Sequence, residues 1–336
     1  MFFENNICKP DKEFIDSLTN ENNISLKIKE IQNEFIKDPT PYMAIDFWLL
    51  HADIKLTTKG INIENEKEKL SGIIPVIFLK TDFIFDYVEQ LLNINWNYKL
   101  VTASNDDHCP PYLNYPPKNQ IMKEKIDRLL DNPNLLLWYA KNPAIKHNKL
   151  KPYILGPKWQ WKTTRFFGEN KLDHYNIYEK YRTMDKKLER KEKLLYFNFN
   201  QTTNYPLYEP HKNIRHKAKS DILKNGFKWN QNEPFEKYMD TLSKYKFCIS
   251  PPGRGIDTHR CWEALMVGCI PIVISSSIDE LYNELPVVIV ESYDVITESY
   301  LNEIYEKLIN QPYNFDKLYS TYWLKQISDD ILSVVL

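Results

Sequence analysis

Glycine is scarce in this chain: 336 residues hold eight glycines against twenty prolines. Cysteine is sparse too, with Cys8, Cys109, Cys248, Cys261 and Cys269 making an odd set that contains no CxxC pair. That pattern argues against a disulfide framework or a cysteine-built zinc site, and fits reduced thiols in a reducing compartment. Long apolar runs are missing. The longest, Ile73 to Leu79, is far too short to cross a bilayer, and the opening residues MFFENNICKPDKEF carry no signal-peptide pattern. There is no basic excess either: 44 Lys and Arg against 45 Asp and Glu leave a net charge of −1, which disfavours binding nucleic acid mainly through its phosphates. What the chain does have is aromatic and apolar bulk, 14% aromatic and 43% hydrophobic with 26% charged, enough to build real cores. At roughly 150 residues per domain, its length predicts two domains.

Residues 1 to 40 are polar, with helical spacing around Ser25–Ile36. Strand and helix signals then alternate. Ile73–Leu79 reads as a strand, Asp82–Leu92 as an amphipathic helix, and Tyr98–Thr102 as a strand ending in the polar turn Ser104–His108. A helix over Gln120–Leu130, a strand at Leu135–Tyr139 and a further strand at Pro152–Gly156 follow. The aromatic and basic loop Lys158–Lys162 and the mixed-charge run Met184–Lys193 interrupt this rhythm, and the mixed signs suit a solvated linker. The alternation restarts with strands at Leu194–Phe199, Tyr245–Ser250, Ile270–Ile274 and Pro286–Val290. Helices are expected over Arg215–Leu223, Phe235–Ser243, Asp257–Val267 and Thr297–Ile309. Apolar strands alternating with helices predict α/β architecture with parallel, doubly wound, Rossmann-like sheets. The boundaries expected are an N-terminal domain over 1–160, a linker over 161–192, a C-terminal domain over 193–320 and a tail over 321–336 packing back on the N-terminal domain.

Three of the eight glycines fall between 253 and 268, in YKFCISPPGRGIDTHRCWEALMVGCIPIVI. This is strand, glycine turn, helix, strand in thirty residues. Pro251 and Pro252 stop the strand, while Gly253 and Gly255 would allow a sharp turn and let a ligand lie against bare backbone. Asp257 or Thr258 suits the helix N-cap and Gly268 its C-terminal stop. A helix starting beyond the carboxyl end of a strand offers unpaired N–H groups and a positive dipole end to an anion, typically phosphate. Arg260 can fork onto phosphate oxygens, and Glu263, one turn deeper, can accept hydrogen bonds from ribose hydroxyls. A surface ion pair between Arg260 and Glu263 is the alternative, weighted equally on spacing alone. The segment lacks the third glycine of the dinucleotide fingerprint, which disfavours hydride transfer, and it lacks the G-K-[ST] of a Walker A loop.

Ser250-Pro251-Pro252-Gly253-Arg254-Gly255-Ile256-Asp257-Thr258-His259-Arg260-Cys261-Trp262-Glu263-Ala264-Leu265, followed by Gly268–Val273 and Leu281–Val290, resembles the C-terminal signature of exostosin-like glycosyltransferases. The resemblance is specific over residues 245–298, weaker at 198–215 and 135–156, and absent from the first forty. It implies two Rossmann-like domains facing a cleft, the GT-B architecture, with a sugar nucleotide held by the C-terminal one. It implies donor binding by Arg215, Ser250, Gly253, Gly255, His259, Arg260 and Glu263, with Arg260 on the diphosphate and Glu263 on the ribose. Arg215 is a second diphosphate candidate. Arg254 does not look like a fixed part of that pattern. The expected reaction moves a sugar from a nucleotide-diphosphate donor, UDP-linked, to a carbohydrate or glycan acceptor. It would proceed with inversion and with no metal or other cofactor, and the cleft would close on the donor.

For the acceptor base, Asp106, Asp107 and His108 follow an N-terminal strand, although Asn105–His108 could equally be a plain turn. A metal at these residues, His211 with His216 as a metal pair, and Asp329–Asp330 as more than an exposed turn are all disfavoured. Trp159 and Trp161 could stack on sugar rings, with hinge packing the stronger reading. The competing functions are a sugar-nucleotide hydrolase or phosphoesterase on the same scaffold, and a non-catalytic glycan-binding protein. The partners expected are a nucleotide sugar and a glycan, with no nucleic acid and no integral membrane segment. An Asn/Lys/Ile-rich, glycine-poor composition points to an AT-rich genome such as that of a bacterium or large DNA virus. The lack of a signal-peptide pattern or anchor leads to the expectation of a cytoplasmic protein, in the bacterium or the infected host cell.

Overall fold

The computed structural model describes residues 52–103, 119–157, 191–202 and 213–319, together with Ile177, Lys180, Tyr181, Leu188, Tyr322, Trp323 and Gln326. The readings made for the first forty residues, Asp106, Asp107, His108, Trp159, Trp161, His211 and Asp329–Asp330 lie outside the described residues.

Five strands make the first sheet: β1 (Ile54–Leu56), β2 (Val76–Lys80), β3 (Tyr98–Ala103), β4 (Leu135–Ala140) and β5 (Leu150–Pro152). They run parallel in the sequential order β1-β2-β3-β4-β5. Short α1 (Ile63–Lys67), then α2 (Ile84–Leu92) and α3 (Asn119–Asp131) connect them. Alternate strand residues point to opposite faces. Ile77, Leu79, Leu100 and Trp138 therefore pack with Val88 and Leu91 of α2 and Ile126 of α3, while Phe78, Val101 and Tyr139 look the other way. Helices α2 and α3 cover the same face.

The second sheet has β6 (Lys193–Tyr196), β7 (Tyr245–Ile249), β8 (Ile270–Ile274) and β9 (Val288–Val290), again parallel and in the order β6-β7-β8-β9. Its helices are α4 (Ile214–Lys224), α5 (Phe235–Leu242), α6 (His259–Met266) and α7 (Glu298–Leu308). Here both faces are covered. Phe247, Ile249, Ile270 and Ile272 pack against Ala218 and Ile222 of α4 and Leu301 of α7. Cys248 and Val273 lie on the opposite face with Met239 of α5 and Trp262 of α6. Burial on both faces explains why these strands read as unbroken apolar runs.

The parallel α/β expectation holds, and one detail is corrected. Neither sheet reverses its strand order among the described residues, so the doubly wound reversal is not seen. A crevice still forms, because the chain leaving β6 runs to α4 on one face and the chain leaving β7 runs to α6 on the other. That local divergence does the work of a switch point at the carboxyl ends of β6 and β7.

A single apolar cluster joins the α2-free face of the first sheet to the α5 and α6 side of the second, and includes Tyr181, Leu318 and Trp323. Trp323, from the C-terminal stretch, is buried there and donates from Nε1 to the Lys317 carbonyl at 2.9 Å. Cys248, Cys261 and Cys269 are buried free thiols in this region, each pushed up in pKa by desolvation. Among the described residues no helix is long and apolar enough to cross a membrane.

Candidate active site at the carboxyl ends of β6 and β7

A cavity of about 460 Å³ occupies the divergence between β6 and β7. On one side it is lined by Asn198, Phe199 and Asn200 beyond β6 and by Arg215 in the first turn of α4. On the other lie Gly253, Arg254, Gly255, Thr258, His259, Arg260 and Glu263. Tyr196, Phe235 and Tyr238 supply an aromatic wall, and Leu155 reaches in from beyond β5.

Thr258 is the N-cap of α6, with extended backbone at φ −134° and ψ 143°, but its side chain makes no capping hydrogen bond. Its hydroxyl is 2.7 Å from the Ser250 hydroxyl instead. The start of α6 therefore keeps its positive end open toward the cavity. Gly268 stops the helix as its sequence position suggests, with φ 65°.

Arg260 is the central cation. Its Nη1 is shielded from solvent and has no hydrogen-bond partner, while its guanidinium sits 5.3 Å from the Tyr238 ring centre and 5.9 Å from that of Tyr196. A buried cationic donor without an acceptor is costly, and an anionic oxygen in the cavity is the partner that geometry invites. One turn on, Glu263 is buried, and its Oε2 accepts from the Tyr238 hydroxyl at 3.2 Å. Glu263 is therefore not on the exposed helix surface that spacing alone allowed, since its carboxylate lies in the cavity wall.

Arg215 lines the same cavity in a different way. Its Nε donates to the Pro252 carbonyl at 2.7 Å, Nη2 to the Pro251 carbonyl at 3.2 Å and Nη1 to the Asn200 carbonyl at 2.7 Å. It buckles the loops beyond β6 and β7 together and still contributes its charge. Burial, and then repulsion from Arg260, bring its pKa down to about 10. Two guanidinium groups that repel each other across one cavity are both relieved by an anion between them.

The remaining residues singled out in the sequence divide. His259 sits at the cavity with Nδ1 2.8 Å from the Gly156 carbonyl. Gly253 closes its loop by donating to the Gly255 carbonyl at 2.9 Å. Ser250 is buried, and it is not among the residues lining the cavity: its hydroxyl is engaged with Thr258. Neither Gly253 nor Gly255 has a positive φ, so the turn does not require glycine for its backbone angles. At Gly255 the space beside the backbone is filled by the Asn142 side chain.

Sequence reading missed Asp257 as more than a cap. It is 3% exposed, accepting Leu155 N–H at 2.7 Å, Thr258 N–H at 2.8 Å and Trp262 Nε1–H at 2.8 Å. Desolvation lifts its pKa above the usual carboxylate value against these donors. Asn142 was missed as well. It lies over a hundred residues away in sequence, and its left-handed φ of 55° beyond β4 is visible only in the structure. Among the described residues no group of three His, Cys, Asp or Glu side chains could hold a metal ion.

Residues 174–287 match the model of the Exostosin GT47 domain. No curated protein matches the chain. The matched stretch contains β6, β7, β8, α4, α5 and α6, and with them nearly the whole cavity wall. Over these residues the chain is similar to the Exostosin GT47 domain, the family whose signature its 245–298 stretch resembles.

Proposed function

We propose that this cavity holds the diphosphate and ribose of a nucleotide-diphosphate sugar, with UDP as the nucleotide, and that the protein transfers the sugar to a glycan acceptor with inversion and without a metal ion. The observation that carries the reading is Arg260, whose Nη1 is buried in the cavity wall without an acceptor. In this reading the two sheets belong to the two lobes of a GT-B enzyme, divided as 1–160 and 193–320 by the linker 161–192.

The family resemblance implies a single displacement, which the placement of the two arginines would assist. The acceptor hydroxyl gives its proton to a base, and its oxygen bonds to the anomeric carbon. The bond from that carbon to the diphosphate oxygen breaks, and the diphosphate leaves with the electron pair. Charge builds on the leaving group, where Arg260 and the open N-terminus of α6 meet it, with the Arg215 charge behind them. Glu263 is placed one turn deeper to accept from ribose hydroxyls. Asp106, Asp107 and His108 are the proposed source of the base, because they follow β3 by only a few residues. Ser250 supports Thr258 in this scheme, and Gly253, Gly255 and His259 shape the loop around the diphosphate.

The test is titration of UDP by calorimetry together with a transfer assay across UDP-, GDP- and CMP-sugars and glycan acceptors. Arg260→Ala should lower the transfer rate on the order of 100- to 1,000-fold, the cost of losing one preorganised donor. Circular dichroism should be unchanged. Arg260→Lys, which keeps charge but not the planar fork, should recover only part of it. EDTA should leave the rate unchanged. A fully active Arg260→Ala protein would end the assignment.

A further inference from the structure

The loop that delivers α6 to the cavity is not held by its own sheet alone. Asn142, two residues beyond β4, places its Oδ1 2.8 Å from the Asp257 N–H, which donates to it. Asp257 answers by accepting the Leu155 N–H. The Gly156 carbonyl meets His259 Nδ1, and the Ser277 hydroxyl donates to the Pro143 carbonyl. Residues 142–156 thus grip the second half of the molecule at four places. The closest approach is at Gly255, where a Cβ would fall on the Asn142 side-chain nitrogen and 2.8 Å from its Cγ. Because Gly255 has no positive φ, its missing side chain serves the seat of this amide rather than the turn.

We propose that Asn142 is a positioning residue for the diphosphate site: its amide, seated on Gly255, holds the Asp257 N–H and with it the first turn of α6 that carries Arg260. This rests on the reading of the cavity given above. The chain of contacts is short. Asp257 directly precedes the N-cap, and its carboxylate fixes both Thr258 N–H and Trp262 Nε1–H. Moving the amide would release the peptide on which that arrangement turns. The donor site is then a composite of both sheets, with residues outside the matched 174–287 stretch setting the aim of its central arginine.

Asn142→Gly removes the amide and keeps the left-handed backbone without strain. In the full chain it should weaken UDP binding about tenfold by calorimetry. Exchange of the Asp257 amide hydrogen should quicken at least tenfold, with little change in circular dichroism. Gly255→Ala should do the same by expelling the amide. The double variant gives the sharpest reading: the new methyl enters emptied space, so it should bind UDP no worse than Asn142→Gly alone, a non-additive result. If Asn142→Gly does not fold, Asn142→Ser, too short to reach Asp257, carries the same expected signs. Native UDP affinity and unchanged Asp257 exchange in Asn142→Gly would overturn the proposal. So would losses that simply add in the double variant. Should the unaltered protein fail to bind UDP, the reading of the cavity falls and this proposal falls with it.

Discussion

The two sheets are built alike and end differently. Each is parallel and sequentially ordered, but in the first α2 and α3 share one face, whereas in the second the chains leaving β6 and β7 go to opposite faces. The cavity of about 460 Å³ sits at that parting. The lesson is that a cavity can open at the carboxyl end of a parallel sheet where neighbouring exits diverge, without the whole strand order reversing.

The contrast can be tested first through the two largest buried side chains, Trp138 and Trp262, which belong to different clusters. Replacing either with Ala should cost about 3–5 kcal/mol. Because one apolar cluster spans both sheets, each should lower the same thermal transition. Two separable transitions by calorimetry would show that the halves unfold independently.

A smaller effect separates a buried carboxylate from an exposed one. Asp257 has its pKa held up by burial. The stability it contributes is therefore present at low pH, below its ordinary value near 3.8, and lost as pH rises through the raised folded value. Asp257→Asn should flatten that dependence in urea titrations run across the acidic range. It should also cost about 1–3 kcal/mol at neutral pH, because an amide oxygen cannot serve all the donors that the carboxylate accepts. In the first sheet's region, Glu89 pairs with Lys125 at 2.5 Å on the surface. There Glu89→Ala should leave stability nearly unchanged across the same titrations, because water screens an exposed pair. An equal response at the two positions would erase the distinction between the halves.

Much of this was legible in the sequence. Apolar runs located β2, β3, β4 and β6 to β9, and cap and stop residues located α6. The strand placed at Pro152–Gly156 instead occupies Leu150–Pro152. β1 and α1 were missed because three and five residues are too short to display a period. In the site, Arg260 and Glu263 could be read because helical spacing and chemistry agree locally. The Ser250–Thr258 hydroxyl contact and the packing of Asn142 against Gly255 could not. Both depend on what lies opposite each residue in space, and a glycine kept bare for a distant amide looks the same on paper as one kept bare for a ligand.

The buried thiols have a practical consequence. Cys248 and Cys261 are 0% exposed and Cys269 is 1% exposed; Cys261 lies on the helix that bears Arg260, and Cys248 and Cys269 share its apolar cluster. With Cys8 and Cys109 changed to Ser, a maleimide dye could label the chain only when that region opens. The rate of labelling would then be a stopwatch for its breathing, and a bound nucleotide should slow it.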